Sequence, residues 1–190
     1  MNRTAISVLA FFMVILLVQG YASAQIPTKG NIFFGYSYLS ADQNSGGRAG
    51  LNGWNGSLEG KVFPYLGIVA DISGQYGSQN FPGACPNIPN GCTFHVNTSL
   101  HNVMFGPRLS VPIGKLTPFA EAFLGVSHVH GSTTGFSDSH TSYSDALGGG
   151  IDYRIIHGIG FRAEGDLLQT HFFSNTQNNF KLSLGLVLHF

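Results

Sequence analysis

Formal charge is scarce in this 190-residue chain: nine Lys and Arg and nine Asp and Glu make up 9% of it and cancel to zero. With no basic excess, the electrostatic footprint that phosphate backbones require is missing, and nucleic acid is excluded as a partner. With no large net charge of either sign, the chain also lacks the signature of disorder. Long apolar runs are missing too. The most extended, from Ala5 to Val18, is shorter than the roughly 18 to 20 residues of a membrane-spanning helix. Cysteine is reduced to Cys85 and Cys92, which alone leave a zinc site two ligands short.

What is present begins with an export signal. Arg3 gives a positive start, Ala5 to Val18 the apolar segment, and Ala22-Ser23-Ala24 a small-residue cleavage box. Residues 1–24 are expected to be removed, leaving 25–190, a length that suits one domain.

Through that remainder the dominant signal has period two. In the last eleven residues Phe180, Leu182, Leu184, Leu186, Leu188 and Phe190 share one face, while Lys181, Ser183, Gly185, Val187 and His189 share the other. The same pattern sets Trp54, Leu58 and Val62 against Asn55, Ser57, Glu59 and Lys61. It sets Ile159, Phe161, Ala163 and Leu167 against Arg162, Glu164 and Asp166. Eight strands are expected near 31–40, 53–63, 65–77, 98–111, 116–128, 143–154, 158–170 and 179–190. The first, fourth and sixth fit less well, because Phe33, Leu39 and Met104 fall on the polar side.

Links between these strands alternate in length. Short ones are expected at 62–65, 112–115 and 155–158; long ones, rich in Asn, Ser, Gly and Thr, near 41–52, 78–97, 129–142 and 171–178. Trimmed turns on one side and elaborated loops on the other are what an outer-membrane barrel shows, and an even strand count returns both termini to the periplasm.

Ten charged residues share the face opposite the large apolar side chains: Glu59, Lys61, Asp71, Arg108, Glu121, Asp152, Arg162, Glu164, Asp166 and Lys181. Alternation alone also fits a soluble barrel whose charged face meets water. Sparseness of charge favours the inverted arrangement, since a soluble surface is about 25–35% charged. Inward glycines such as Gly67 and Gly148 would leave room in a narrow eight-stranded tube, and closure removes edges that lipid cannot hydrate. The expected fold is an all-β, eight-stranded, antiparallel up-and-down transmembrane β-barrel, anchored at the interfaces by Trp54, Tyr36, Tyr38, Tyr65, Tyr76 and Tyr153.

The runs Phe105-Gly106-Pro107-Arg108, Pro118-Phe119-Ala120-Glu121-Ala122, Leu147 to Tyr153 and Phe161 to Asp166, with the export signal and terminal Phe190, resemble the small outer-membrane β-barrel family that includes OmpA-like and opacity-type proteins. The resemblance covers nearly all of 25–190. It implies that the inward Arg, Glu and Asp form a salt-bridged plug and that the barrel-assembly machinery reads Phe190. No cofactor is expected, nor a peptidoglycan-binding domain after the barrel, so the wall-tethering role of OmpA-like members is not expected either.

Function is less legible. The ten inward charges, six acids and four bases, fit either a closed plug or, if the lumen is open, a mildly cation-preferring path. Cys85 and Cys92 are expected to pair in an oxidising compartment and to stabilise their small ring by roughly 2 kcal/mol. His95, His101, His128, His130, His140 and His171 lie in or beside the long loops, where a metal site or pH sensor competes with scattered surface histidine. His130 and Ser132 have the His-x-Ser spacing of lipid-modifying outer-membrane deacylases, within a loop and with no assigned acid. The reading is a non-catalytic outer-membrane protein that presents loops for surface recognition, adhesion or envelope integrity to a ligand not identified by the sequence; the alternative is a narrow channel or small-solute porin.

Overall fold

The computed structural model describes residues 29–43, 47–83, 92–133, 136–172 and 175–190. The expected signal segment and Cys85 lie outside them. Eight strands run antiparallel in chain order: β1 (Gly30–Gln43), β2 (Gly47–Lys61), β3 (Leu66–Gly83), β4 (Cys92–Ser110), β5 (Leu116–Thr133), β6 (Phe136–Ile156), β7 (Ile159–Phe172) and β8 (Asn175–His189). Each pairs with its sequence neighbours, and β8 returns to β1 from Asn31↔His189 to Ser40↔Phe180, so the sheet closes on itself. At the seam Gly30 and Phe190 exchange backbone hydrogen bonds of 3.0 and 3.1 Å.

The barrel is inverted. Ile32, Phe34, Leu58, Ile72, Phe105, Leu124, Leu147, Leu167 and Leu184 project outward and are exposed, whereas Arg108, Arg162, Glu164 and Asp71 are buried inside. On β8 the outward apolar row runs from Leu188 to Phe180, roughly 20 Å after strand tilt, close to the apolar band of an outer-membrane barrel. Tyr65 and Tyr153 lie at the end of the band near the termini; Tyr38, Tyr76 and Tyr143 mark its other edge, all five exposed. Among the described residues no helix is long and apolar enough to cross a membrane, so crossing falls to the strands.

Phe33, Leu39 and Met104, which sat on the wrong side of the alternation, do point inward and are 0–1% exposed. They break the pattern because the interior is not purely polar. Leu39 and Met104 join Leu51, Val69, Leu100, Phe123, Ala146 and Leu168 in an apolar cluster inside the barrel. Its bulk fits partly because glycine stands opposite: Met104 pairs with Gly125 on β5.

The terminal end has tight links. Gly114 and Gly158 take φ of +65° and +80°, the left-handed region in which a Cβ is strained, and so allow β4–β5 and β6–β7 to turn sharply. The other end corrects the expectation of long loops. Strands β3 and β4 stay paired out to Gly83↔Cys92, β5 and β6 to Thr133↔Phe136, β7 and β8 to Phe172↔Asn175, and β1 and β2 to Gln43↔Gly47. The described parts of these segments are hairpin extensions rather than irregular loops. Beyond the apolar band both faces of a strand meet water, so nothing forces side chains to alternate in polarity, and the signal that reveals the strand disappears.

Candidate functional site

Seven strands contribute charge to the interior, each through residues on its inward parity. Arg108 of β4 is the hub. Its Nη2 lies 2.5 Å from Glu121 Oε2 on β5 and 3.1 Å from Glu164 Oε2 on β7, and its Nη1 lies 3.3 Å from Glu59 Oε2 on β2. The guanidinium also stacks over Phe119, 4.5 Å from the ring centroid. A second guanidinium, Arg162 of β7, grips Asp152 of β6 with Nε and Nη2 at 2.6 and 2.8 Å and donates to Asn31 Oδ1 at 3.2 Å. Two-pronged pairs of this kind are the stronger class of hydrogen bond.

Lysines complete the set. Lys181 of β8 bridges Asp71 Oδ1 at 3.3 Å and Asp166 Oδ2 at 3.1 Å; Lys61 pairs with Glu59 at 2.5 Å and donates to Ser110. All ten charged residues singled out by alternation therefore lie inside, nine of them buried and Lys61 half-buried. Gly67 and Gly148 make the space, since a Cβ at either would collide with the carboxylate-bearing side chains of Glu59 and Asp166. Glu121, Glu164 and Asp166 bring carboxylate oxygens within 4.8 Å of one another, but Arg108 and Lys181 already supply cations there.

Alternation missed the polar residues that extend this cluster, although they carry the same parity. Asn55 donates to Glu164 Oε1 and Ser183 Oγ, both at 3.3 Å. Above them Asn102 donates to Ser73 and Gln75 at 3.1 Å, and Ser127 donates to Asn102 Oδ1 at 2.5 Å while its oxygen accepts from the Ser144 hydroxyl at 2.9 Å. The apolar cluster shares the same interior. At the terminal end the charged cluster borders a cavity of about 450 Å³ whose walls include Lys61, Arg154, Arg162, His189 and Phe190.

Outside, His130 and Ser132 stand on strand β5 rather than in a loop. They border a shallow groove of about 360 Å³. The strand neighbours of His130 are Ser99 and Ser139, and those of Ser132 are Asn97 and Ser137. The carboxylate in register is Asp138 on β6, which stands opposite Gly131 and so on the other face of the sheet from His130 and Ser132, and its Oδ1 accepts from the Ser139 backbone N–H at 2.8 Å. His101 and His128, also expected near loops, are paired strand residues on the outer wall. Cys85 and the side chains of Cys92, Phe81, Phe94, Phe136 and His171 fall outside the described residues.

These features match known proteins in fold. A family model described as outer membrane protein beta-barrel domain matches residues 8–190. The attachment invasion locus protein Ail of Yersinia pestis, solved with the heparin analogue sucrose octasulfate, aligns with a TM-score of 0.59 at 14% identity over 85% of this chain and 98% of that one. Neisserial surface protein A aligns at 0.66 and 13% identity over 85% and 97%. The N-terminal barrel of Pseudomonas aeruginosa OprF aligns at 0.53 and 12% identity over 85% and 99%. No curated protein matches by sequence.

Proposed function

Because this chain belongs to the outer membrane protein β-barrel domain family, we propose that it is a non-catalytic outer-membrane protein whose rigid barrel holds four hairpin extensions at the cell surface for recognition or adhesion. The observation that carries the reading is the contrast between the two halves. The interior is filled by paired charges, a polar layer and an apolar cluster, whereas β3–β4 and β5–β6 are built well beyond the apolar band. A structure that invests length outside and fills its lumen favours presentation over transport.

The chemistry of the extensions narrows the ligand. Arg48 is the one Lys or Arg between Gly30 and Gln43, Gly47 and Asn52, or in 77–102, 127–145 and 169–179; Asn, Ser, Thr and Gly dominate. The sulfated compound held by Ail calls for dense positive charge, which this surface lacks at neutral pH. Recognition here rests on neutral hydrogen-bonding groups. Cells displaying the intact barrel should bind protein- or glycan-coated surfaces that cells with 79–95 trimmed do not, while the trimmed barrel keeps its heat-dependent gel shift. Unchanged binding after trimming every hairpin would remove the proposal.

A filled lumen also predicts electrical silence. In planar bilayers the purified barrel should give no stable openings beyond brief, small events; large non-selective steps would place it with the porins. Both termini are proposed to face the periplasm, with Phe190 read by the assembly machinery during insertion. The Cys85–Cys92 disulfide is likewise proposed. The chain unfolded without reductant should titrate no free thiols, and two would disprove the bond.

A further inference from the structure

We propose that His101 and His128 form a binding site for a borderline divalent transition cation, with Zn²⁺ as its probe, on the outer wall of the barrel. Three observations converge on these two residues. They are direct partners across β4 and β5, and both are exposed on the outward face. Side chains opposed in this way on an antiparallel pair start about 4.5–5.5 Å apart at Cβ, close enough for two imidazoles to reach one ion at metal–nitrogen distances of about 2.0–2.1 Å.

The rings are also held. His128 Nδ1 is 2.7 Å from Thr141 Oγ1 on β6, which leaves Nε2 free to face an ion. An imidazole whose second nitrogen is fixed by a neighbour is the usual arrangement of a metal-bound histidine. From the other side the ring of Tyr76 on β3 meets the His101 ring edge to face, with centroids 5.5 Å apart.

The surroundings suit a cation. Along the outward parity of the two strands the neighbours are Val103 and Val126 on the apolar side and Ser99 and His130 on the polar side, with no lysine or arginine among them. Arg48, the one guanidinium of this half of the barrel, is bonded to Ser40 and Asn178 around β1 and β8. His130, two residues beyond His128 on the same face, stands opposite Ser99 and borders the neighbouring groove of about 360 Å³. Imidazole ligands select zinc, copper and nickel over the hard cations magnesium and calcium.

The test is calorimetric titration of the full mature barrel, folded in zwitterionic micelles, with zinc chloride and separately with calcium chloride. One zinc should bind per barrel and calcium should give no heat. His101→Gln and His128→Gln should each abolish the zinc heat, and Thr141→Val should weaken it about tenfold or more by releasing the ring. All three positions are exposed, so each variant should keep the heat-dependent gel shift of the folded barrel. Zinc bound as tightly by the doubly substituted barrel, a site lost only on changing His95, His140 or His171, or calcium bound equally well would each overturn the proposal.

Discussion

Replacing Arg108 with Met is expected to lower the free energy of unfolding by about 3–5 kcal/mol, because it removes the one cation that Glu59, Glu121 and Glu164 share and leaves their carboxylates buried. The loss does not mean that the network adds that much stability when intact. Taking four ions out of water is expensive, and their attraction does little more than offset it. The asymmetry lies in removing one partner while the others stay inside. Glu121→Gln and Glu164→Gln, added to Arg108→Met, should therefore recover part of the loss, since a neutral amide costs less to bury than an orphaned carboxylate. Urea unfolding of the barrel in lipid vesicles, followed by the heat-dependent gel shift, measures all three. A loss below about 1 kcal/mol is the size of an exposed pair and would mean that water fills the interior.

How much of this was legible follows from where alternation is enforced. Between the two apolar edges lipid demands grease on one face, so Leu182, Leu184 and Leu186 declared their side, and Lys181 was assigned the opposite one by parity alone. The same parity carries Asn102 and Gln75, but an uncharged amide on a polar face gives no reason to be singled out. Who pairs with whom was not readable at all. Arg108 and Glu164 are separated by 56 residues, and their 3.1 Å contact depends on closure and strand stagger across the lumen. Phe33 breaks the alternation because the interior is not wholly polar; its ring centroid lies 5.3 Å from the Arg162 guanidinium. Beyond the band, where both faces are wet, alternation ends: the strand legible from it stops at His128, and His130, which β5 carries, falls in the expected 129–142 loop. The His101–His128 juxtaposition needs the β4–β5 register, which hairpin length sets and single-sequence periodicity does not.

The inverted arrangement makes a second large prediction, and it separates a membrane barrel from a soluble one built on the same alternation. Leu184 stands outward at the middle of the β8 row, between Tyr36 on β1 and Ala163 on β7. Leu184→Arg should destabilise the barrel in vesicles by about 2–4 kcal/mol, the cost of holding a guanidinium at bilayer mid-depth. Leu188→Arg, at the terminal edge of the same row, should cost about 0–1 kcal/mol because its charge can reach the headgroups. Were the outward face in contact with water, both substitutions would fall within about 0.5 kcal/mol, as exposed changes do. Gradient, rather than magnitude alone, is the decisive readout. A general weakening of β8 by arginine would affect the two sites alike, whereas lipid penalises depth. Urea midpoints for the two variants, measured in the same vesicles, distinguish a depth-dependent loss from a uniform one.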